Sequence, residues 1–179
     1  RELDFAAECR HAERIAANLA ALPEVVIPRV HWAYTGERVN VQDYIDGIPG
    51  EDLERITREG LDRQLLARRG ARAVLKMIVE DGFFHADPHP GNVFYLPGNR
   101  LAFIDFGMVG RLSPRRREEL LQLLLGLVER QPQAVADVLI ANRAKYETIA
   151  VANSGNTKID AAIDIDGGIG TLKYYARIG

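Results

Sequence analysis

The sequence has little of what disulfide-bonded, membrane-spanning or nucleic-acid-binding proteins need. Cys9 is its only cysteine, so neither an intrachain disulfide nor a cysteine-based metal site can form, and a reducing compartment is expected. The longest candidate apolar span, residues 120–128, is too short to cross a bilayer. A net charge of −2 leaves no basic excess, which argues against nucleic acid as a partner.

What is present is the composition of a globular domain, with 47% apolar and 27% charged residues in 179 positions. Periodicity and turn residues predict helices at 3–22, 51–58, 61–81 and 132–144, and another that begins at Ser113-Pro114. Strands are predicted at 25–27, 30–34, 38–45, 93–96 and 101–104. Because small antiparallel strand pairs alternate with helical blocks, the predicted fold is α+β and not a doubly wound parallel sheet.

The most informative stretch runs from residue 81 to residue 107. A polar loop at 85–92 separates an apolar helix from a strand, and Pro97-Gly98-Asn99 is a strong signal for a hairpin turn. This hairpin would bring Asp105 back beside Asp87 and Asn92. Two carboxylates and an amide oxygen in one cleft form the kind of site that Mg²⁺ prefers, together with substrate phosphates.

The spacing of these residues is typical of phosphoryl transfer. The order H-x-D-x-x-x-x-N, a hairpin and then D-F-G is found in protein kinases, and the combination is far more specific than D-F-G alone. In that arrangement Asp87 is the catalytic carboxylate that orients the attacking hydroxyl. Asn92 and Asp105 are the predicted Mg²⁺ ligands, and Asn92 thereby also contributes to binding ATP.

Several motifs resemble those of the UbiB/AarF family of atypical kinases, also called the ADCK group. HADPHPGN and IDFGMVG resemble the catalytic and metal loops of the family. ELDFAAECRHAER resembles its ExD segment on the αC helix, with Glu2 and Asp4 as the two acids, and VNVQDYIDGIPGEDL resembles its hinge. The resemblance covers roughly residues 1–142.

This resemblance implies a protein-kinase-like fold with an incomplete small lobe at 1–46, a mainly helical large lobe at 47–144 and an unassigned tail at 145–179. It implies binding of Mg-ATP, with Glu8 at the position that faces the ATP lysine. Backbone groups of Asp43 and Ile45 would bind adenine at the hinge, and His89 would contact a phosphate. Solvated or packed side chains remain an alternative for Glu8 and His89, and a plain edge strand remains one for the hinge.

The resemblance also implies ATPase or small-molecule or lipid kinase activity in support of ubiquinone biosynthesis. The expected partners are ATP, a lipid or quinone-precursor substrate, and quinone-biosynthesis proteins. The expected location is the cytoplasm, with peripheral contact at the inner membrane. The family's KxGQ segment, Ala-rich nucleotide loop and third-strand lysine lie upstream of the ExD segment and are not in this sequence. We therefore expect an N-terminally truncated chain that is inactive or nearly so by itself.

Other residues receive structural interpretations. His85 is expected to hold its loop by hydrogen bonds, and Gly107 to let the backbone reverse after the metal ligand. Trp32 and Tyr34 are expected to pack the small lobe. Arg111 and the run 115–117 form a basic cluster, for which a solvated helix face is favoured over contact with anionic lipid or a phosphorylated substrate.

Three other functions stay open at this point. A small-molecule phosphotransferase of the aminoglycoside or choline-kinase kind also uses an H-x-D-x-x-x-x-N loop. A pseudokinase or interaction module would keep the motifs without catalysis. A metallohydrolase could bind zinc through His85, Asp87 and His89, but Asn92 and the D-F-G hairpin would then be unexplained.

Overall fold

A computed structural model describes residues 4–154 and 157–178, so Glu2 lies outside the described residues. The described helices are α1 (Phe5–Asn18), α2 (Leu53–Arg58), α3 (Arg63–Leu75), α4 (Pro114–Val128), α5 (Pro132–Ala141), α6 (Arg143–Ser154) and α7 (Lys158–Ile178). The described strands are β1 (Val25–Val26), β2 (Ile48–Pro49), β3 (Phe83–His85), β4 (Val93–Leu96), β5 (Arg100–Phe103) and β6 (Val109–Arg111). The predicted α+β class is confirmed.

The strands form two small sheets. In the larger sheet the order is β1-β5-β4-β2, with β4 and β5 as the predicted antiparallel hairpin, β2 antiparallel to β4, and β1 parallel to β5. The smaller sheet pairs β3 with β6 in antiparallel register. Since β3 precedes the polar loop and β6 follows the D-F-G segment, the small sheet brings those two stretches together.

The chain divides into two compact units, residues 1–114 and 115–179. The core of the first unit packs α1 and the end of α3 against β3 and β5, with Ile15, Met77, Phe83, Leu101 and Phe106 almost fully buried. The second unit contains most of α4 together with α5, α6 and α7, and buries Val135, Ala136, Ala161 and Ile169. The predicted boundaries after residues 46 and 144 stay predictions.

Helix α1 begins where a side chain satisfies its first turn. Asp4 is the N-cap, and its Oδ1 accepts a hydrogen bond of 2.9 Å from Ala7 N–H. Ala12 and Ile15 repeat at helical spacing on the buried face. The helix ends at Asn18, four residues before the end predicted from Pro23, and it is therefore correct in type but shorter than predicted.

Helix α3 passes into a π-helical turn at Lys76–Asp81, as one continuous block with it. The block ends at Gly82, as predicted, because that residue adopts the left-handed conformation with φ 60°. Lys76 Nζ lies 2.8 Å from Asp81 Oδ1 across this turn.

Some predicted elements are wrong. Residues 30–34 do not form a strand, since Trp32–Tyr34 is a 3-10 turn, and 38–45 contributes only isolated bridges. The two segments pair with each other only at the isolated antiparallel bridge Val30–Gln42, which does not extend into a ladder. Tyr34 is 73% exposed, so the prediction that it packs the small lobe is wrong, whereas Trp32 is 41% exposed and donates to Glu13 on α1. The predicted helix 132–144 breaks at Asn142, between α5 and α6.

Candidate active site

Strand pairing holds two loops side by side. Loop 86–92 lies between β3 and β4, and loop 104–108 lies between β5 and β6. Because β3 pairs with β6 and β4 pairs with β5, both ends of each loop are tied to the other. Two further backbone hydrogen bonds join the loops directly, from Ile104 N–H to Asn92 O (3.0 Å) and from Ala86 N–H to Met108 O (3.0 Å). The loops that carry Asp87, Asn92 and Asp105 therefore form one continuous platform.

His85 connects the two loops of this platform through hydrogen bonds of its ring. Its Nε2 donates to Ile104 O (3.0 Å) and its Nδ1 accepts from Asp87 N–H (3.2 Å), so the ring is neutral with its proton on Nε2. The side chain is buried between Phe103 and Phe106, whose ring centroids lie 6.2 and 5.1 Å away. The structural role predicted for His85 is confirmed.

Asn92 is buried and has a fixed orientation. Its Nδ2 donates to the backbone oxygen of Asp87 at 3.1 Å. This bond occupies the amide nitrogen and leaves the side-chain oxygen for a cation. The Asp87 carboxylate, in contrast, is half exposed and lies 3.9 Å from His89 Nε2. Asn92 is thus an oxygen ligand held in one orientation, and Asp87 is a carboxylate accessible to a substrate.

Asp105 adopts the left-handed backbone conformation, with φ 59°. Its Oδ1 accepts a hydrogen bond from Gly107 N–H at 3.2 Å, which closes a turn of the Asx type. The chain therefore reverses at Asp105 itself, and the prediction that Gly107 supplies the reversal is wrong. Gly107 instead leaves room for two carboxylates. A Cβ there would lie 3.2 Å from Asp105 Oδ1 and 3.7 Å from Glu8 Oε2.

Glu8, in the first turn of α1, faces loop 104–108. Its carboxylate accepts hydrogen bonds from the Phe106 backbone and the Asn40 side chain, both of which lower its pKa. Burial and then the nearby Asp105 carboxylate act in the opposite direction and dominate, so the pKa of Glu8 is raised above its ordinary value. The carboxylates of Glu8 and Asp105 are therefore close enough to interact.

The predicted hinge residues lie in an irregular stretch with partly committed backbone groups. Asp43 N–H donates to Arg29 O (2.9 Å), and Ile45 O accepts from Gly47 N–H (3.1 Å). Within the described residues, the Asp43 carbonyl and the Ile45 N–H make no such backbone bond. The Asp43 side chain lies 2.7 Å from His31 Nε2, on the surface.

His89 has one nitrogen committed within its own loop. Its Nδ1 accepts from Gly91 N–H at 3.0 Å, so Nε2 is the nitrogen that faces outward. Since His85 uses both of its nitrogens in hydrogen bonds, the three residues of the HxDxH pattern do not present a zinc-binding set. In addition, no group of three or more His, Cys, Asp or Glu side chains in the described part of the chain is arranged to hold a metal ion.

Two residues beside the platform are absent from the sequence interpretation. Asn40 hydrogen-bonds Glu8, and His11 Nδ1 donates to Phe106 O at 3.2 Å. His11 could have been found, because it follows Glu8 by three positions and so shares its helix face. Asn40 carries no comparable signal, since it reaches Glu8 from a distant irregular segment.

Comparison with known families gives the platform a context. The model of the ABC1 atypical kinase-like domain matches residues 1–139. The chain belongs to the ABC1 atypical kinase-like family. The resemblance to the UbiB/AarF group, which is the same family, is thereby confirmed.

Relatives of this ABC1 chain occur in plants and cyanobacteria. It is 37% identical over 142 residues to the Arabidopsis thaliana protein ACTIVITY OF BC1 COMPLEX KINASE 8, chloroplastic, covering 78% of this chain and 19% of that protein. It is also 37% identical over 185 residues to slr0889 from Synechocystis, covering 97% of this chain and 43% of that protein. The ABC1 chain thus spans less than half the length of these relatives.

A solved structure has the same fold. The complex of Rv3197 with erythromycin, from Mycobacterium tuberculosis, matches 96% of this ABC1 chain and 54% of its own with a TM-score of 0.61 at 19% identity. Together with family membership, this match supports the kinase-like α+β architecture. Among the described helices, none combines the length and apolar character required to cross a membrane.

The donor set of this ABC1 platform suits a hard cation. An amide oxygen from Asn92 and carboxylate oxygens from Asp105 and Asp87 match the preference of Mg²⁺, which takes few protein ligands and completes its shell with phosphates and water. Neither His85 nor His89 offers a competing nitrogen from inside the platform. The chemistry of the residues therefore fits the metal that kinase-like domains use.

Proposed function

We propose that this chain forms the Mg-ATP-binding platform of an ABC1 kinase or ATPase, which transfers or releases the terminal phosphoryl group of ATP. The observation that carries the proposal is the hydrogen-bonded pairing of loops 86–92 and 104–108. It puts Asp87, Asn92 and Asp105 on adjacent stretches of one rigid support. Positioning of this kind supplies most of the catalysis in phosphoryl transfer.

Each group on the platform has a distinct task in this proposal. Asn92 and Asp105 would hold Mg²⁺, which when bound neutralises phosphate charge. Asp87 would accept the proton, or a hydrogen bond, of the attacking hydroxyl or water, for which its half-exposed carboxylate is accessible. His85 keeps the two loops in register through its bond to Ile104 O, and the Asn92 amide nitrogen fixes loop 86–92 internally by its bond to Asp87 O. Both bonds position the reacting groups and do not react.

The hinge supports a binding mode for adenine. The Asp43 carbonyl and the Ile45 N–H, two residues apart, offer one acceptor and one donor without backbone partners among the described residues. Adenine presents the complementary pair on one edge, an amino donor and a ring-nitrogen acceptor. His89 Nε2, which faces outward beside Asp87, would contact a phosphate.

The lack of a described lysine beside Glu8 limits the activity that we propose for this chain by itself. All four lysines of the sequence, Lys76, Lys145, Lys158 and Lys173, follow α1. In the first compact unit, Lys76 pairs with Asp81, and no described lysine contributes to the environment of Glu8. We therefore propose that the 179-residue chain hydrolyses ATP slowly or not at all, and hydrolysis at the rate of a full-length relative would contradict this.

For the biological role, we propose support of ubiquinone biosynthesis with a lipid or quinone-precursor acceptor. Family membership supports this role only in general terms, and peripheral membrane contact from the cytoplasm belongs to the same proposal. Phosphorylation of a quinone precursor, and not of aminoglycosides or choline, would separate this role from that of a small-molecule phosphotransferase. The readout is transfer of labelled phosphate from ATP.

Calorimetry tests the core of the proposal. ATP should bind the chain in the presence of Mg²⁺ and at least tenfold more weakly with a chelator. Asp105→Asn should remove the Mg²⁺ dependence, whereas Asp164→Asn, an exposed aspartate on α7, should leave it unchanged. If Asp105→Asn binds Mg-ATP as the wild type does, Asp105 is not a metal ligand. Absence of any nucleotide binding would favour a pseudokinase module.

A further inference from the structure

Two arginines from different elements lie against one buried aromatic ring. Arg14 on α1 has its guanidinium carbon 4.1 Å from the centroid of Phe83, and Arg111 on β6 has its own 5.2 Å from the same point. Phe83 is fully buried. Arg111 is the direct cross-strand partner of Phe83 in the β3–β6 pair, so both side chains lie on the sheet face that α1 covers.

These two cations are close to each other and lack anionic partners. Their distances to the shared centroid put the guanidinium carbons within about 9 Å of each other. Neither forms an ion pair with a carboxylate elsewhere in the part of the chain that the structure describes. Both side chains are exposed, and one anion that contacted both guanidinium groups would gain two attractions.

The geometry favours a phosphate group as that anion. Guanidinium presents a planar fork of N–H donors that matches phosphate oxygens, and two forks can bind one dianion through several charge-assisted hydrogen bonds. Stacking on Phe83 restrains both side chains before a ligand arrives, which reduces the ordering that binding requires. The first compact unit thus contains two guanidinium groups stacked on one ring, outside the Asp87–Asn92–Asp105 platform.

We propose that Arg14 and Arg111 bind a phosphate dianion, free or at the end of a small monoester, and thereby clamp α1 to β6. The clamp would act on the platform. Helix α1 carries Glu8, and β6 follows loop 104–108 directly. His11 lies edge-on to the same ring, with centroids 5.8 Å apart, and donates to Phe106 O. The occupied site would therefore hold Glu8 against the segment that contains Asp105.

The predicted basic cluster of Arg111 and residues 115–117 belongs to two different units in the structure. Arg111 belongs to β6 in the first unit, whereas residues 115–117 begin the second unit, on α4. Glu119 accepts hydrogen bonds from Arg115 and Arg116. Arg111 instead lies against the Phe83 ring together with Arg14.

Binding of inorganic phosphate and of glycerol 3-phosphate tests the proposal. The chain is titrated by calorimetry without Mg²⁺ or nucleotide, against sodium chloride at matched ionic strength. We expect one site per chain, with affinity reduced at least tenfold in Arg14→Gln and in Arg111→Gln. Arg10→Gln, an exposed arginine on the same helix, is the matched control and should bind as the wild type does.

The same titrations can overturn the proposal. It fails if the double variant Arg14→Gln with Arg111→Gln binds phosphate as the wild type does, if Arg10→Gln weakens binding equally, or if chloride competes at equal concentration. If the glutamine variants do not fold, Arg14→Lys and Arg111→Lys keep the charge but lose the fork, and unchanged affinity in both would also refute it. Tighter binding of glycerol 3-phosphate identifies a monoester as the ligand, and tighter binding of inorganic phosphate identifies the free ion.

Discussion

Burial and the neighbouring Asp105 carboxylate together raise the pKa of Glu8 above 4.5, its ordinary value. A carboxyl whose folded pKa exceeds its unfolded pKa binds protons on folding between the two values. Its contribution to stability is therefore most favourable at low pH and is lost as the pH rises from about 4.5 through the folded pKa. At neutral pH, ionised Glu8 destabilises the fold in exchange for a charge beside the platform.

Glu8→Gln should accordingly stabilise the chain at pH 7, because the amide keeps a hydrogen-bonding oxygen for the Phe106 backbone without a buried charge. The gain should shrink as the pH approaches 4, where wild-type Glu8 is protonated. Urea denaturation from pH 4 to pH 8 with a chelator measures it, with Glu37→Gln, an exposed glutamate, as the control. A constant difference between the two proteins across this range would show that Glu8 does not titrate on folding.

At the residue scale, the sequence identifies residues that belong to a motif, but it misses features that depend on the folded backbone. Asp87, Asn92 and Asp105 follow from the kinase-like spacing alone, and the role of His85 follows from its place in the motif. The left-handed conformation of Asp105 does not follow, because a glycine two positions later is the residue that normally permits such a turn. Asn40 is invisible for a similar reason, since only the folded chain brings it to Glu8.

At the scale of elements, the β4–β5 turn is fixed by its contacts with α3. Asn99, with φ 57°, accepts a 2.7 Å hydrogen bond at its Oδ1 from Asp62 N–H, at the start of the helix. Arg69 donates to the backbone oxygens of Gly98 and Asn99, at 3.0 and 2.5 Å. The turn thus holds the hairpin that connects loop 86–92 to loop 104–108.

Two substitutions at Asn99 separate its contributions. Asn99→Gly keeps the left-handed backbone but loses the bond to Asp62, which should cost about 1 kcal/mol. Asn99→Ala also forces a β-carbon into that conformation, so the total should reach about 2–3 kcal/mol. Urea denaturation gives both values. Equal losses would mean that the backbone conformation contributes nothing, and no loss in either variant would mean that the turn is not fixed by α3.

Helices and strands were predicted correctly where local sequence signals were strong. The predictions were wrong where a strand depends on pairing with a distant segment. The long periodic block 61–81 and the hairpin around Gly98-Asn99 are right because helix stripes and turn residues specify them locally. The segments 30–34 and 38–45 have strand-like composition but pair only at the isolated bridge Val30–Gln42. Strands β3 and β6, only three residues each, are too short to show a period, and they exist because the core brings them together.

At the scale of the whole molecule, the two compact units have unequal cores. The first unit buries large side chains such as Phe83, Phe106 and Met77, whereas the buried set in the second is smaller and includes two alanines, Ala136 and Ala161. Every residue of the proposed platform lies in the first unit. The motifs in the sequence identify the family and the platform, but nothing in them marks the division at Pro114, which depends on contacts among helices.

These differences predict that the units unfold separately and that ligand stabilises only one of them. Trp32, the only tryptophan, lies in the first unit and hydrogen-bonds Glu13 at 2.6 Å, so its fluorescence reports on that unit. Far-ultraviolet circular dichroism reports on the helices of both. If Mg-ATP binds as proposed, a hundredfold excess over Kd should stabilise the fluorescence transition by about 2.7 kcal/mol and leave the remaining dichroism transition in place.

Asp105→Asn should abolish that shift without changing the number of transitions. A single transition that moves as a whole in both signals would instead show one cooperative body. Two transitions with no response of the fluorescence would instead leave the units independent and contradict nucleotide binding by the first. The same scan therefore tests the architecture and the platform by separate readouts.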